Sequence, residues 1–129
     1  MTKLELFCQA VQNHEGYFPP CKPYPRGSKS FRNNNPANFR WTTLIQQLGA
    51  IGKDPSGFAI FADYNSGYTA LKTFITMAGS NQLKAYKNCT ISSFFAVYAP
   101  SYENDTLAYA KIVAKSVGMP ITTKISSLI

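Results

Sequence analysis

Apolar residues recur along the first fifteen positions at helical spacing. Leu4, Cys8, Val11 and Glu15 are separated by four, three and four residues, with Phe7 beside them, so they share one face of a helix. Thr2-Lys3-Leu4-Glu5 has the form of a capping box that starts it, and Gly16 follows as a C-cap. The same periodicity predicts a second helix from near Asp63 to about Ala78, with Tyr64, Tyr68, Leu71 and Ile75 on one face and Gly79 as its stop. A third follows Thr90 and carries Ile91, Phe94, Phe95 and Tyr98, ended by Pro100. A fourth starts at Asn104 or Asp105, buries Leu107, Ala110, Val113, Ala114 and Val117, and ends at Gly118. A short helix closes the chain around 123–128.

Between the first two helices the pattern changes. Residues 17–37 are rich in Pro, Gly, Ser and Asn and read as an ordered, functional loop. Phe39-Arg40-Trp41 and Phe58-Ala59-Ile60-Phe61 are short β-like runs, separated by Gly49, Gly52 and the turn Asp54-Pro55-Ser56-Gly57, which suggests a small β-hairpin. The sum is an α+β protein, mostly helical, expected to form one domain over residues 1–129.

Composition narrows the function classes. Hydrophobic residues make up 45% of the 129 and charged residues 15%, a globular balance that argues against disorder. No apolar run reaches the ~20 residues needed to span a bilayer, so membrane insertion is not expected. The N-terminus lacks a signal-peptide pattern because Glu5, Gln9 and Gln12 interrupt it. Thirteen Lys and Arg against six acids give +7, which favours an anionic partner. The cations are scattered, with no arginine-rich helix, so nucleic acid is not the expected one.

Three cysteines without CxxC spacing and a single His argue against a structural metal site, and neither metal nor cofactor is expected. For Cys8 and Cys21 two readings stand: a bridge, since Pro19-Pro20 redirect the chain after the first helix, or buried free thiols, the blander account. No dinucleotide, P-loop or nucleophile-elbow motif is present.

Glu15 is the candidate catalytic residue. It is the only acid between Glu5 and Asp54, placed at the last turn of an apolar helix face. Partial burial and the negative end of the helix dipole both disfavour its ionised form, as a general acid requires. The competing reading is an ordinary solvated or salt-bridged glutamate. In Ser30–Arg40, asparagine amides offer donors and acceptors suited to sugar hydroxyl and acetamido groups. Asn33, Asn34 and Asn35 read as turn formers and Asn38 as the better ligand candidate. Most of the eight tyrosines read as packing residues, with Tyr98 and Tyr102, which flank Pro100, as the exceptions.

The order Glu15-Gly16, Arg32-Asn33-Asn34-Asn35-Pro36-Ala37-Asn38-Phe39-Arg40, and Gly57-Phe58-Ala59-Ile60-Phe61 with Tyr64 and Gly67 resembles the lysozyme-like domains of bacteriophages and prophages. These are similar to soluble lytic transglycosylases and goose-type lysozymes. Phe95-Ala96-Val97-Tyr98-Ala99 looks like the segment that supplies an active-site tyrosine, and Tyr109–Val113 is similar to the helix after it. Gly16 stands where transglycosylases usually carry serine, their Gly-Leu-Met-Gln motif is absent, and Val97 and Ala99 replace Ala and Asn. Hydrolase and lyase therefore stay open.

The resemblance implies cleavage of the β-1,4 bond between N-acetylmuramic acid and N-acetylglucosamine in peptidoglycan. Glu15 would be the catalytic acid, and Asn38, Tyr64, Tyr98 and Tyr102 would bind substrate. It also implies a monomer made in a bacterial cytoplasm and acting at the cell wall, or carried in a virion. A second carboxylate would be Asp63, or less readily Asp54, although Asp63 reads first as a helix N-cap. The non-enzyme alternative is a wall-binding or virion module of the same fold without catalysis.

Overall fold

The computed structural model describes residues 1–101 and 104–129, a small, mostly helical α+β protein. In chain order the elements are α1 (Lys3–His14), α2 (Lys29–Arg32), α3 (Thr43–Gln47), β1 (Gly52–Lys53), β2 (Ala59–Ile60), α4 (Tyr64–Gly79), α5 (Ile91–Tyr98) and α6 (Thr106–Val117). Single 3-10 turns lie at Lys84–Tyr86 and Ile125–Ser127. Among the described residues no helix is long and apolar enough to cross a membrane. By the density of its contacts the chain divides into two compact units, Met1–Ala10 with Phe74–Ile129, and Val11–Thr73.

The ends of the long helices follow the expected chemistry. Thr2 Oγ1 accepts from Glu5 N–H and Glu5 Oε1 accepts from Thr2 N–H, each at 3.1 Å, so the capping box is made. Past the end of α1, Gly16 adopts φ +73, and two backbone bonds close the helix. Gly16 N–H donates to Asn13 O and Tyr17 N–H to Gln12 O, each at 3.2 Å, the paired bonds of a Schellman motif. Thr90 and Ser93 form a second capping box on α5, Asp105 caps α6, and Gly118 at φ +70 ends it.

In the unit formed by Met1–Ala10 and Phe74–Ile129, aromatic rings make the core. Phe7, Phe94, Phe95 and Tyr109 are fully buried. Phe95 stacks on Tyr109 with ring centres 4.3 Å apart and on Phe7 at 5.7 Å. Lys3 Nζ donates to the carbonyl of Val117 at 3.0 Å, a cation placed on the negative end of α6.

The unit Val11–Thr73 holds the sheet. β1 and β2 pair antiparallel with Gly52 opposite Ile60 and Lys53 opposite Ala59. The run at 39–41 does not form the other strand of this hairpin. It adds one isolated bridge, Arg40 with Phe58, because α3 intervenes and carries the chain round to Gly52 before pairing resumes. Two short helices also interrupt stretches that read as loop. Ser28 caps α2 and Thr42 caps α3, and at four and five residues neither is long enough to show periodicity.

Cys8 and Cys89 are buried thiols and Cys21 is an exposed one, so the bridge between Cys8 and Cys21 is not made. Pro19 and Pro20 instead lead Cys21 into an exposed turn closed by its own N–H, which donates to Tyr24 O at 2.7 Å.

Gly67 lies on the buried face of α4 against the backbone of Asn34. A Cβ added there would sit 1.9 Å from Asn34 O and 2.9 Å from Pro36 Cδ. In an unobstructed helix Gly→Ala gains about 1 kcal/mol. Here overpacking against rigid backbone reverses the sign, and Gly67→Ala is expected to lose about 1–3 kcal/mol in urea unfolding.

Candidate functional site

The three consecutive asparagines build the floor of the Val11–Thr73 unit. Asn35 has no exposed surface. Its Nδ2 donates to Phe39 O and to Ala59 O, both at 2.9 Å, and its Oδ1 accepts from Phe39 N–H at 2.9 Å. Asn34, at φ +52, donates to Phe61 O at 3.1 Å. Asn33 donates to Asp54 Oδ2 at 3.1 Å. These amides bind the loop to the hairpin as well as shaping the turn, which makes them scaffold.

Asp54 is the other end of that scaffold. Its Oδ1 accepts from the N–H groups of Ser56 and Phe58 at 2.9 Å, and Lys29 Nζ lies 3.4 Å from its Oδ2. Partial desolvation pushes its carboxyl up, but the amides of Phe58, Asn33 and Ser56, with Lys29, outweigh it and bring the value down to about 2. Asp63 is likewise committed. Its Oδ1 accepts from Ser66 N–H at 2.7 Å at the start of α4, and this hydrogen bonding lowers its carboxyl too. Both candidate second carboxylates thus hold backbone amides.

Glu15 is half-buried at the end of α1, directly before the Schellman glycine. Hydroxyls fix the backbone here. Ser30 Oγ donates to Gly16 O at 3.2 Å, and Ser28 Oγ, 3.3 Å from Ser30 Oγ, accepts from Phe18 N–H at 2.9 Å. Aromatic residues meet the positions on either side of it in the chain. The edge of Phe18 lies over Gly16, 3.5 Å from where a Cβ would stand. One turn back along α1, Gln12 Oε1 accepts from the Tyr64 hydroxyl at 2.8 Å. Gln12 and Glu15 are three residues apart and share a helix face, so Tyr64 stands beside the Glu15 turn.

Tyr17 joins these elements. Its ring centre is 5.3 Å from Tyr64 and 5.4 Å from Phe31, and Tyr64 in turn stacks with Tyr68 at 5.9 Å. Burial, and then the neighbouring Tyr64 hydroxyl, raise the Tyr17 phenol above its ordinary value, so it stays neutral through the physiological range. Partial desolvation pushes the His14 imidazole below its ordinary value.

Asn38 is also at φ +52, and its Oδ1 is buried with no hydrogen-bond partner among the described residues. A buried acceptor in that state costs about 1–3 kcal/mol, and a donor from outside the protein recovers it. Tyr98 belongs to the other unit, where its ring packs 5.3 Å from Phe94 and 6.0 Å from Phe74. Tyr102 lies outside the described residues.

Tyr64, one of the residues expected to bind substrate, thus stands beside the Glu15 turn. Gln12, Tyr17, Phe18, Ser28 and Ser30 were not singled out as site residues from the sequence. A signal for two of them was present: after a helix that ends in glycine, the next residues fold back over its last turn, and here they are Tyr17 and Phe18. Comparisons with family models, curated proteins and solved structures find no match to this chain.

Two outcomes follow from this geometry. Asp54, whose folded value is depressed, stabilises the fold fully above the ordinary carboxylate range, and that contribution is lost as pH falls through about 2. Urea midpoints measured from pH 5 to pH 2 are expected to fall less steeply for Asp54→Asn, which starts lower, than for the wild type. Asn38→Gly removes both the unpartnered acceptor and the left-handed strain, and is expected to raise stability by about 1 kcal/mol in chemical denaturation.

Proposed function

We propose that this protein is a peptidoglycan-cleaving glycosidase with a lysozyme-like fold, and that Glu15 is its general acid. The observation that carries the reading is a half-buried carboxylate at the rigidly closed end of α1, with Phe18 on the following glycine and Tyr64 on the preceding turn. A half-buried carboxyl group on a fixed turn is placed as a proton donor to a bound substrate would be. The aromatic rings supply apolar faces against which a pyranose can lie, and their hydroxyls supply polar edges.

In this reading Glu15 donates its proton to the glycosidic oxygen between N-acetylmuramic acid and N-acetylglucosamine as the bond to the anomeric carbon breaks. The resulting carboxylate then accepts a proton from the incoming nucleophile. That nucleophile is water in a hydrolase, or the muramoyl 6-hydroxyl closing a 1,6-anhydro ring in a transglycosylase. The engagement of Asp54 and Asp63 by backbone amides supports the second route, because activation of water usually employs a second carboxylate. Asn38, with its unpartnered carbonyl oxygen, suits an acetamido N–H or a sugar hydroxyl.

Glu15→Gln keeps the shape and removes the proton. Incubated with purified peptidoglycan, it is expected to release soluble fragments at least ~100-fold more slowly than the wild type. Mass analysis of the wild-type fragments is expected to show anhydro ends. Equal release by the two proteins would remove Glu15 from the mechanism. Sedimentation of both with the wall, without release by either, would support the wall-binding module instead.

A further inference from the structure

The turn that follows Glu15 displays apolar surface that the fold itself does not use. Phe18 is 42% exposed and Tyr24 40%, and the two rings stack with centres 5.7 Å apart and planes 26° from parallel. Exposed aromatic side chains on a loose loop would carry little information. These are held. Phe18 N–H donates to Ser28 Oγ at 2.9 Å and Phe18 O accepts from Ser28 N–H at 2.8 Å. Tyr24 O accepts from Cys21 N–H at 2.7 Å and from Gly27 N–H at 3.0 Å. Gly27, at φ +82, leaves no room for a side chain, since a Cβ would meet Phe31 Cδ1 at 2.4 Å. The platform is therefore set before any partner arrives, which lowers the ordering cost of binding.

Two cations share the turn with Tyr24. Lys22 and Arg26 are exposed on the same turn, and among the described residues neither forms a salt bridge or a side-chain hydrogen bond. No acidic residue occurs between Glu15 and Asp54, and Asp54 is engaged with Lys29. Two stacked aromatic faces with free cations beside them match a polymer of sugar rings whose substituents end in carboxylates. The platform is also joined to the catalytic turn, because the Phe18 ring rests on Gly16. Two residues lie between Glu15 and Phe18, so their Cα atoms are at most about 11 Å apart.

We propose that residues 18–26 form a second glycan-binding surface beside Glu15, where Phe18 and Tyr24 stack under a sugar ring and Lys22 and Arg26 engage the carboxylates of the peptide stems. This rests on reading Glu15 as the acid of a peptidoglycan glycosidase, and it makes the preferred substrate the polymeric, stem-bearing wall. Cations beside stacked rings can also hold single-stranded nucleic acid, but contact with the Glu15–Gly16 turn favours the polymer that Glu15 would cleave.

The test uses the full chain carrying Glu15→Gln, so that binding is measured without turnover. Sedimentation is followed on purified sacculi and on sacculi whose stem carboxylates are capped as amides with carbodiimide and ammonia, which keeps the peptide network and removes the charge, and a twenty-residue oligothymidylate serves as the nucleic-acid probe. Phe18→Leu with Tyr24→Leu keeps apolar bulk while removing the rings, and unchanged thermal melting shows that the fold survives. This pair is expected to weaken binding to both kinds of sacculi about tenfold. Lys22→Gln with Arg26→Gln is expected to weaken binding to intact sacculi only, by a smaller factor that shrinks in salt.

If both pairs bind sacculi as the parent does while the wild type still releases fragments, the second surface is overturned and the Glu15 reading stands. Fragment release that does not depend on Glu15, with losses confined to the ring and charge variants, overturns the Glu15 reading and leaves the surface. Oligothymidylate binding that these variants abolish, with sacculus binding unaltered, overturns the glycan assignment in favour of nucleic acid.

Discussion

Asn35 is the constraint on which the Val11–Thr73 unit depends. One amide, without exposed surface, satisfies three backbone groups from two segments: the N–H and carbonyl of Phe39, and the carbonyl of Ala59. Each such bond contributes only about 1 kcal/mol net, but leaving its buried partner unmade costs about 1–3 kcal/mol, so the three act together as a clasp. Asn33 and Asn34 extend the clasp to Asp54 and Phe61. Gly67 then allows α4 to lie directly on the Asn34 backbone, an approach no side chain would permit. The loop that carries the polar chemistry is therefore as rigid as the hairpin it is bound to.

That rigidity reaches Glu15 through serine. Ser30 holds the carbonyl of Gly16 and Ser28 holds both polar backbone groups of Phe18, while the Schellman bonds close α1 from the other side. The carboxylate stands at a chain reversal fixed from both directions. Pre-organisation of this kind is what an acid catalyst needs, because misplacing a proton donor by an ångström forfeits much of its rate. Positive charge in the surrounding loop adds attraction for an anionic polymer without assigning a role to any one cation.

Much of this was legible from residue order. The four long helices follow from periodicity and from caps that are made as written: Thr2 with Glu5, Thr90, Asp105, and the glycines at 16 and 118. The small hairpin was legible as an element, but its partner strand was not. Two-residue strands carry no alternation, so Gly52–Lys53 gave no signal while the β-like run 39–41 gave a misleading one. The asparagine run read as turns because local sequence shows only local hydrogen bonds. Its partners at 54, 59 and 61 are twenty or more residues away. The bonds of Asp54 to Asn33 and Lys29 were hidden for the same reason, and so was the meeting of Tyr64 with Gln12 across 52 residues.

The central claim is that Glu15 stands where a glycosidic oxygen is protonated. The most direct measurement is a crystal structure of Glu15→Gln soaked with a tetrasaccharide of alternating N-acetylglucosamine and N-acetylmuramic acid. The account predicts the amide of residue 15 within about 3 Å of a glycosidic oxygen, with the chain of sugars lying along the Tyr64 and Phe18 rings. A saccharide ordered elsewhere on the protein, with residue 15 out of reach of every glycosidic oxygen, would contradict it.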